Sequence, residues 1–145
     1  MKELHHLYDE VILKHSKEPC QFYKMEDADI VLEAYNPVCG DQFKLYLKLQ
    51  DDCISDISFH GYGCAISKAS TSVLVDQLKG KPLQELPALI EGFLQVVDPK
   101  IDINELKVTS PELLAFSKTR EYPGRLQCAT LGWEELQHYI ASLNK

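Results

Sequence analysis

The 145-residue chain has no excess of positive charge: 15 Lys and Arg stand against 22 Asp and Glu, a formal net charge of −7. Neither half is basic, and this disfavours nucleic-acid binders, whose contact with phosphates needs a Lys/Arg-rich face. No apolar run approaches the roughly 20 residues of a membrane span, and the opening Met1-Lys2-Glu3-Leu4-His5-His6 has no secretory hydrophobic stretch. Repeats, low-complexity tracts and linkers to a second domain are also missing. The chain is therefore read as one soluble, cytoplasmic domain over residues 1–145, with no nucleic-acid and no membrane partner. Nor is there a C-x-x-C pair among the five cysteines, Cys20, Cys39, Cys53, Cys64 and Cys128. An odd count in an unexported chain argues against a disulfide framework, because the cytosol keeps thiols reduced.

What the chain does have is a change of period along its length. Leu4, Leu7, Tyr8, Val11, Ile12 and His15 recur at three and four residues and predict an opening amphipathic helix, ended by Pro19. A polar, acidic segment to Asp29 reads as a loop. Three strands are expected next: Ile30 to Tyr35, Gln42 to Leu49 and Cys53 to Phe59. In the second, Phe43, Leu45, Leu47 and Leu49 alternate with Gln42, Lys44, Tyr46 and Lys48. Asp51-Asp52 joins the last two strands as a hairpin. One-sided alternation of this kind predicts an antiparallel sheet with one face covered.

From Gly63 the period becomes helical. Ala65, Ile66, Ala69, Val73, Leu74 and Leu78 line a helix that stops at Gly80. Leu83 to Val97 predicts another, with Pro82 and Pro87 obscuring its start. Ser110-Pro111 is an N-cap followed by Pro at the first helical position, and a last helix runs from about Leu126 to Leu143. Strands first and helices afterwards make the fold class α+β: a small three-stranded antiparallel sheet covered by helices on one face.

Three stretches place a cysteine beside residues that bend the backbone: Asn36-Pro37-Val38-Cys39-Gly40-Asp41, Gly61-Tyr62-Gly63-Cys64 and Pro123-Gly124-Arg125-Leu126-Gln127-Cys128. Cys39 and Asp41, two apart in extended chain, present a thiol and a carboxylate side by side, in register with Phe43 and Leu45. Gly61 and Gly63 bracket a turn that leaves Cys64 at a helix N-terminus, where orphan N–H groups favour a thiolate. Cys128 falls in the first turn of the final helix. Three sulfurs and a carboxylate oxygen are a tetrahedral zinc donor set, with formal charge −2 offset by the helix termini and Arg125. Taken singly, each residue has a plainer reading: Cys64 or Cys128 as a packed thiol, Asp41 as a turn residue, Arg125 as a surface charge. Cys20 and Cys53 read as structural, His60 as solvent-facing, and His5, His6 and His15 as surface or helix-flank residues.

At these motifs the chain resembles the IscU/NifU-type iron–sulfur assembly proteins, and more narrowly their SufU branch. The resemblance runs from Leu7-Tyr8, His15 and Pro19 through Asn36 to Asp41 and Gly61 to Ala69, and ends in Cys128-Ala129-Thr130-Leu131 and Trp133. It implies zinc on Cys39, Asp41, Cys64 and Cys128, with Cys39 also accepting persulfide sulfur from a cysteine desulfurase of the SufS type. Arg125 matches a position associated with the metal site. A downstream cluster-assembly scaffold would receive the sulfur. Gln127 stands where scaffold-type members carry a histidine, and the span between Cys64 and Cys128 is longer than theirs, around Leu94 to Phe116. Both departures favour zinc-dependent sulfur transfer. The alternatives are a non-enzymatic scaffold assembling a [2Fe–2S] cluster on the same cysteines and, from a different class, a zinc-stabilised interaction module without turnover.

Overall fold

The computed structural model describes residues 2–37 and 40–143, with the backbone alone for residues 2–5. Helix α1, Lys2–Lys17, precedes strands β1 (Ile30–Asn36), β2 (Asp41–Gln50) and β3 (Cys53–Tyr62), which pair antiparallel in the order β1-β2-β3. Helices α2 (Ala65–Leu78), α3 (Leu86–Val97), α4 (Pro111–Ala115) and α5 (Leu126–Leu143) follow. This is the α+β arrangement expected. None of the described helices is long and apolar enough to cross a membrane.

The alternation of β2 sorts as its pattern requires: Phe43, Leu45 and Leu47 are buried on the helix side together with Ile54, Ile57 and Phe59 of β3. Ile54 and Ile57, three apart, share that side because the β2–β3 register shifts at Lys48/Leu49. Asp56 opposes Lys48 and Ile54 opposes Leu49, leaving Ser55 as the extra residue of a bulge, its hydroxyl donating to the Lys48 carbonyl at 3.0 Å. The hairpin turn is two residues long, with Asp51 at φ 53° and Asp52 at φ 61°. Two consecutive left-handed residues are the type I′ geometry that matches strand twist, and aspartate tolerates it better than most side chains.

Helices cover this face. The Phe93 and Trp133 rings stack at 4.2 Å, and Phe116 packs edge-on against Phe93. The stretch expected as one helix from Leu83 divides into a 3-10 turn, Leu83–Glu85, and α3, with Pro87 in its first turn, where a missing N–H costs nothing. Ser110 caps α4 as expected, its hydroxyl accepting from the Leu113 N–H. Between α4 and α5, a 3-10 stretch over Phe116–Glu121 carries Arg120. Its guanidinium donates to the carbonyls of Gln95, Val96 and Ile101 at 2.6–2.9 Å and satisfies the C-terminus of α3. This holds the long span between Cys64 and Cys128 against the body of the domain.

Several expectations are corrected. His15 is no surface residue: it is 1% exposed, with Nδ1 2.7 Å from the Ser72 hydroxyl and Nε2 3.0 Å from a Glu112 carboxylate oxygen. It continues the Tyr8–Val11 stripe of α1, and α2 and α4 supply its polar partners. Gly61 lies inside β3, paired with Phe43, and does not open a turn. A Cβ there would stand 2.2 Å from the Gln42 carbonyl oxygen. The 21–29 segment, read as a loop, reaches across the second face of the sheet. The Gln21 carbonyl accepts from Phe59 N–H, the Tyr23 hydroxyl donates to Asp56, and Asp27 pairs with Lys48. Tyr46 and Ser58 are buried on this side, and His60 is half-buried against the Phe22 ring and not simply in solvent.

Candidate metal centre

Asp41 opens β2 opposite Asn36, on the helix-covered face and 1% exposed. Its Oδ1 accepts from the Cys64 N–H at 2.8 Å. Its Oδ2 is buried and has no hydrogen-bond partner among the described residues. Leaving a buried carboxylate oxygen unsatisfied costs on the order of 1–3 kcal/mol or more, so the position is one that a cation would relieve.

Cys64 is the N-cap of α2, in extended conformation, and its sulfur accepts from the Ser67 N–H at 3.4 Å. The Ser67 hydroxyl stands 3.6 Å from the same sulfur and donates to the Cys64 carbonyl at 3.1 Å. Gly63 makes this approach feasible. A Cβ on it would lie 2.5 Å from Ser67 Oγ and 2.8 Å from both Asp41 Oδ1 and Phe43 Cε2. Cys128, the third residue of α5, is 1% exposed. A carboxylate oxygen of Asp41 and the sulfurs of Cys64 and Cys128 all lie within 4.8 Å of one another. Two thiols and a carboxylate oxygen are a donor set that suits zinc, and thiolates equally suit an iron–sulfur cluster.

Residues 41, 64 and 128 are thus brought together from three different elements. Cys39 lies outside the described residues, between Asn36 and Gly40, whose backbone groups join at 2.8 Å with Gly40 at φ 77°. Arg125 ends the 3-10 turn Pro123–Arg125 and is exposed. It lines a groove of about 460 Å³ with Tyr8, Ile12, Ile66, Lys118 and Tyr122, beside Ala65 and so one residue from Cys64. Cys20 and Cys53 are half-buried elsewhere, Cys20 with its sulfur 3.9 Å from His15 Nδ1.

Two neighbours of the centre escape a reading of the sequence. Ser67 is one; its signal is the three-residue spacing from Cys64, the N-cap to N3 relation. Tyr8 is the other. Burial pushes its phenol above the ordinary value, against the lowering pull of the Thr119 side chain, with smaller upward contributions from Tyr122, Asp9 and, last, Cys64.

A family model described as the NifU-like N-terminal domain matches residues 7–145. The iron–sulfur cluster assembly scaffold protein IscU of Streptococcus pyogenes serotype M1 is 36% identical over 140 residues, covering 97% of this chain and 86% of its own. The zinc-dependent sulfurtransferase SufU of Bacillus subtilis is 33% identical over 140 residues, covering 93% and 90%. A crystal structure from Fervidobacterium islandicum AW-1, described as a SufU cluster-assembly scaffold for the SUF system, superposes with TM-score 0.78 at 35% identity, covering 92% of this chain and 96% of that one. The N-terminal part of a NifU-like protein from Brucella abortus shares the fold, with TM-score 0.80 at 20% identity.

Proposed function

The chain belongs to the family of NifU-like N-terminal domains, which includes proteins named IscU and SufU, and on that premise we propose that it is a zinc-dependent acceptor of persulfide sulfur in iron–sulfur cluster assembly. The observation that carries this reading is the buried Asp41 carboxylate, with one oxygen unpartnered among the described residues, within 4.8 Å of two cysteine sulfurs. Gln127 in the place of a histidine supports sulfur transfer over cluster holding.

In this reading Asp41, Cys64, Cys128 and Cys39 hold the zinc. The ion would keep the thiols deprotonated at neutral pH without redox chemistry of its own. The chain's residues do the rest. Cys39, set between Pro37 and Gly40, is the acceptor. Its thiolate attacks the outer sulfur of a cysteine persulfide on a SufS-type desulfurase, a new S–S bond forms on Cys39, and the old bond breaks to leave the donor's thiolate. No oxidant is consumed, and the persulfide on Cys39 is ready for a downstream cluster-assembly scaffold. Asp41, bonded to the Cys64 N–H, holds the start of β2 against the start of α2 while this happens. Arg125, on the groove beside Ala65, supplies positive charge where thiolates gather.

The test is elemental analysis of the protein as purified, for the unaltered chain and Cys39→Ser, followed by mass spectrometry after incubation with a desulfurase and cysteine. About one zinc per chain with negligible iron, and a mass gain of sulfur lost in Cys39→Ser, are expected. Full sulfur acceptance by Cys39→Ser would overturn the assignment. A second reading, a scaffold holding a [2Fe–2S] cluster, is favoured by the relative named a scaffold at 36% identity. It predicts iron and acid-labile sulfide in place of zinc.

A further inference from the structure

We infer that Ser70 is a positioning residue for the Cys64–Cys128 thiol pair; this rests on the reading of that pair as part of the sulfur-handling centre. The two cysteines start different helices, Cys64 capping α2 and Cys128 in the first turn of α5. The separation of their sulfurs is therefore decided by how α2 lies against α5.

At that contact Ser70 and Thr71 of α2 meet Ala129, Gly132 and Trp133 of α5. Ser70, 1% exposed, donates its hydroxyl proton to the Ala129 carbonyl and accepts from the Trp133 indole N–H at 3.0 Å. One buried oxygen is thus bonded to two points of α5, the nearer being the residue next to Cys128. Trp133 is held in turn by its stack on Phe93, with the ring planes 9° apart. Beside Ser70, Thr71 faces Gly132, where a Cβ would come within 3.4 Å of Thr71 Oγ1. From Thr71 a bonded path leads back to the centre: its hydroxyl donates to the Ser67 carbonyl at 2.8 Å, and the Ser67 N–H donates to the Cys64 sulfur.

Apolar packing is non-directional in its driving force, whereas hydrogen bonds add defined distances and angles. A slip of one residue moves a helix about 1.5 Å along its axis, far beyond the ~0.2 Å tolerance of metal–ligand distances. The pair of bonds at Ser70 sets the axial register of α2 on α5, and with it the approach of the two sulfurs. Ser72 makes the comparison. It is as deeply buried on the same helix, but bonds His15 and the Cys20 N–H, away from α5.

The experiment uses the metal-free full chain in a Cys39→Ser background and phenylarsine oxide, a reagent that closes on two neighbouring thiols. Ser70→Ala is expected to slow capture by roughly tenfold or more, in line with other supporting-shell losses, and Ser72→Ala to leave it near the parent rate. Both lose a buried hydroxyl, so a merely structural role would move both melting temperatures and neither rate. Capture in Ser70→Ala as fast as in Ser72→Ala overturns the inference. Zinc affinity, measured by competition on the chain with Cys39 intact, should weaken in Ser70→Ala alone. A parent chain that takes up no zinc would instead refute the proposed function, and the arsenical rates would still decide the role of Ser70.

Discussion

Gly63 carries a constraint that belongs to a single residue. Its missing Cβ is the space that Ser67 Oγ, Asp41 Oδ1 and Phe43 Cε2 occupy at 2.5–2.8 Å from where that atom would stand. Two of these three neighbours support the candidate donor set, and none is the free end of a long side chain. Gly63→Ala is therefore expected to fold with a displaced α2 start and to bind zinc about 10–100-fold more weakly; competition titration measures this, and unchanged affinity would show that the crowding is relieved elsewhere. Asp41 illustrates the same scale from the other side. Parity with Phe43 in the sequence is enough to put it on the covered face, and it is buried there. Its bond to the Cys64 N–H depends on a partner 23 positions away, which local pattern does not report.

Among the elements, the β2–β3 hairpin carries two aspartates where glycine would fit better. Asp51 and Asp52 both sit at positive φ, where a Cβ is strained and glycine is not. Asp52→Gly is expected to stabilise the domain by about 0.5–1 kcal/mol, seen as a higher urea midpoint at unchanged slope; a lower midpoint would contradict this account of the turn. Strand and helix identities were legible because each rests on short-range period: the alternation of Phe43 to Leu49, the stripe through Ala69, Val73 and Leu78, the Ser110-Pro111 start. Ser55 was not, since a bulge is a relation between two strands and has no period of its own. The burial of His15 is hidden from the sequence for a related reason. A helical stripe shows which way a side chain points, but Ser72 and Glu112, which make its burial tolerable, come from α2 and α4.

For the whole molecule, the proposed centre links binding to folding. Its three described donors come from β2, α2 and α5, and an ion bound to the folded chain alone stabilises it by mass action. Added zinc is expected to raise the melting temperature, and Cys128→Ser to abolish most of that rise, since structural zinc contributes on the order of 10 kcal/mol in small domains. The rise should shrink as pH falls, because the thiols must lose protons to bind; calorimetry with and without chelator checks both, and an equal zinc response in Cys128→Ser would count against the site. By itself the sequence determined the three strands and the main helices, their order, the hairpin turn and which cysteines sit beside glycine or proline, because those follow from periods and neighbours within a few positions. Only the tertiary structure decided that positions 41, 64 and 128 meet within 4.8 Å. It also decided that Ser67 bonds the Cys64 sulfur and Ser70 the Ala129 carbonyl, that His15 is buried, and that the 21–29 segment crosses the sheet. Each of these depends on where distant parts of the chain come to rest, and that is set by packing the shared core as a whole rather than by any local run of residues.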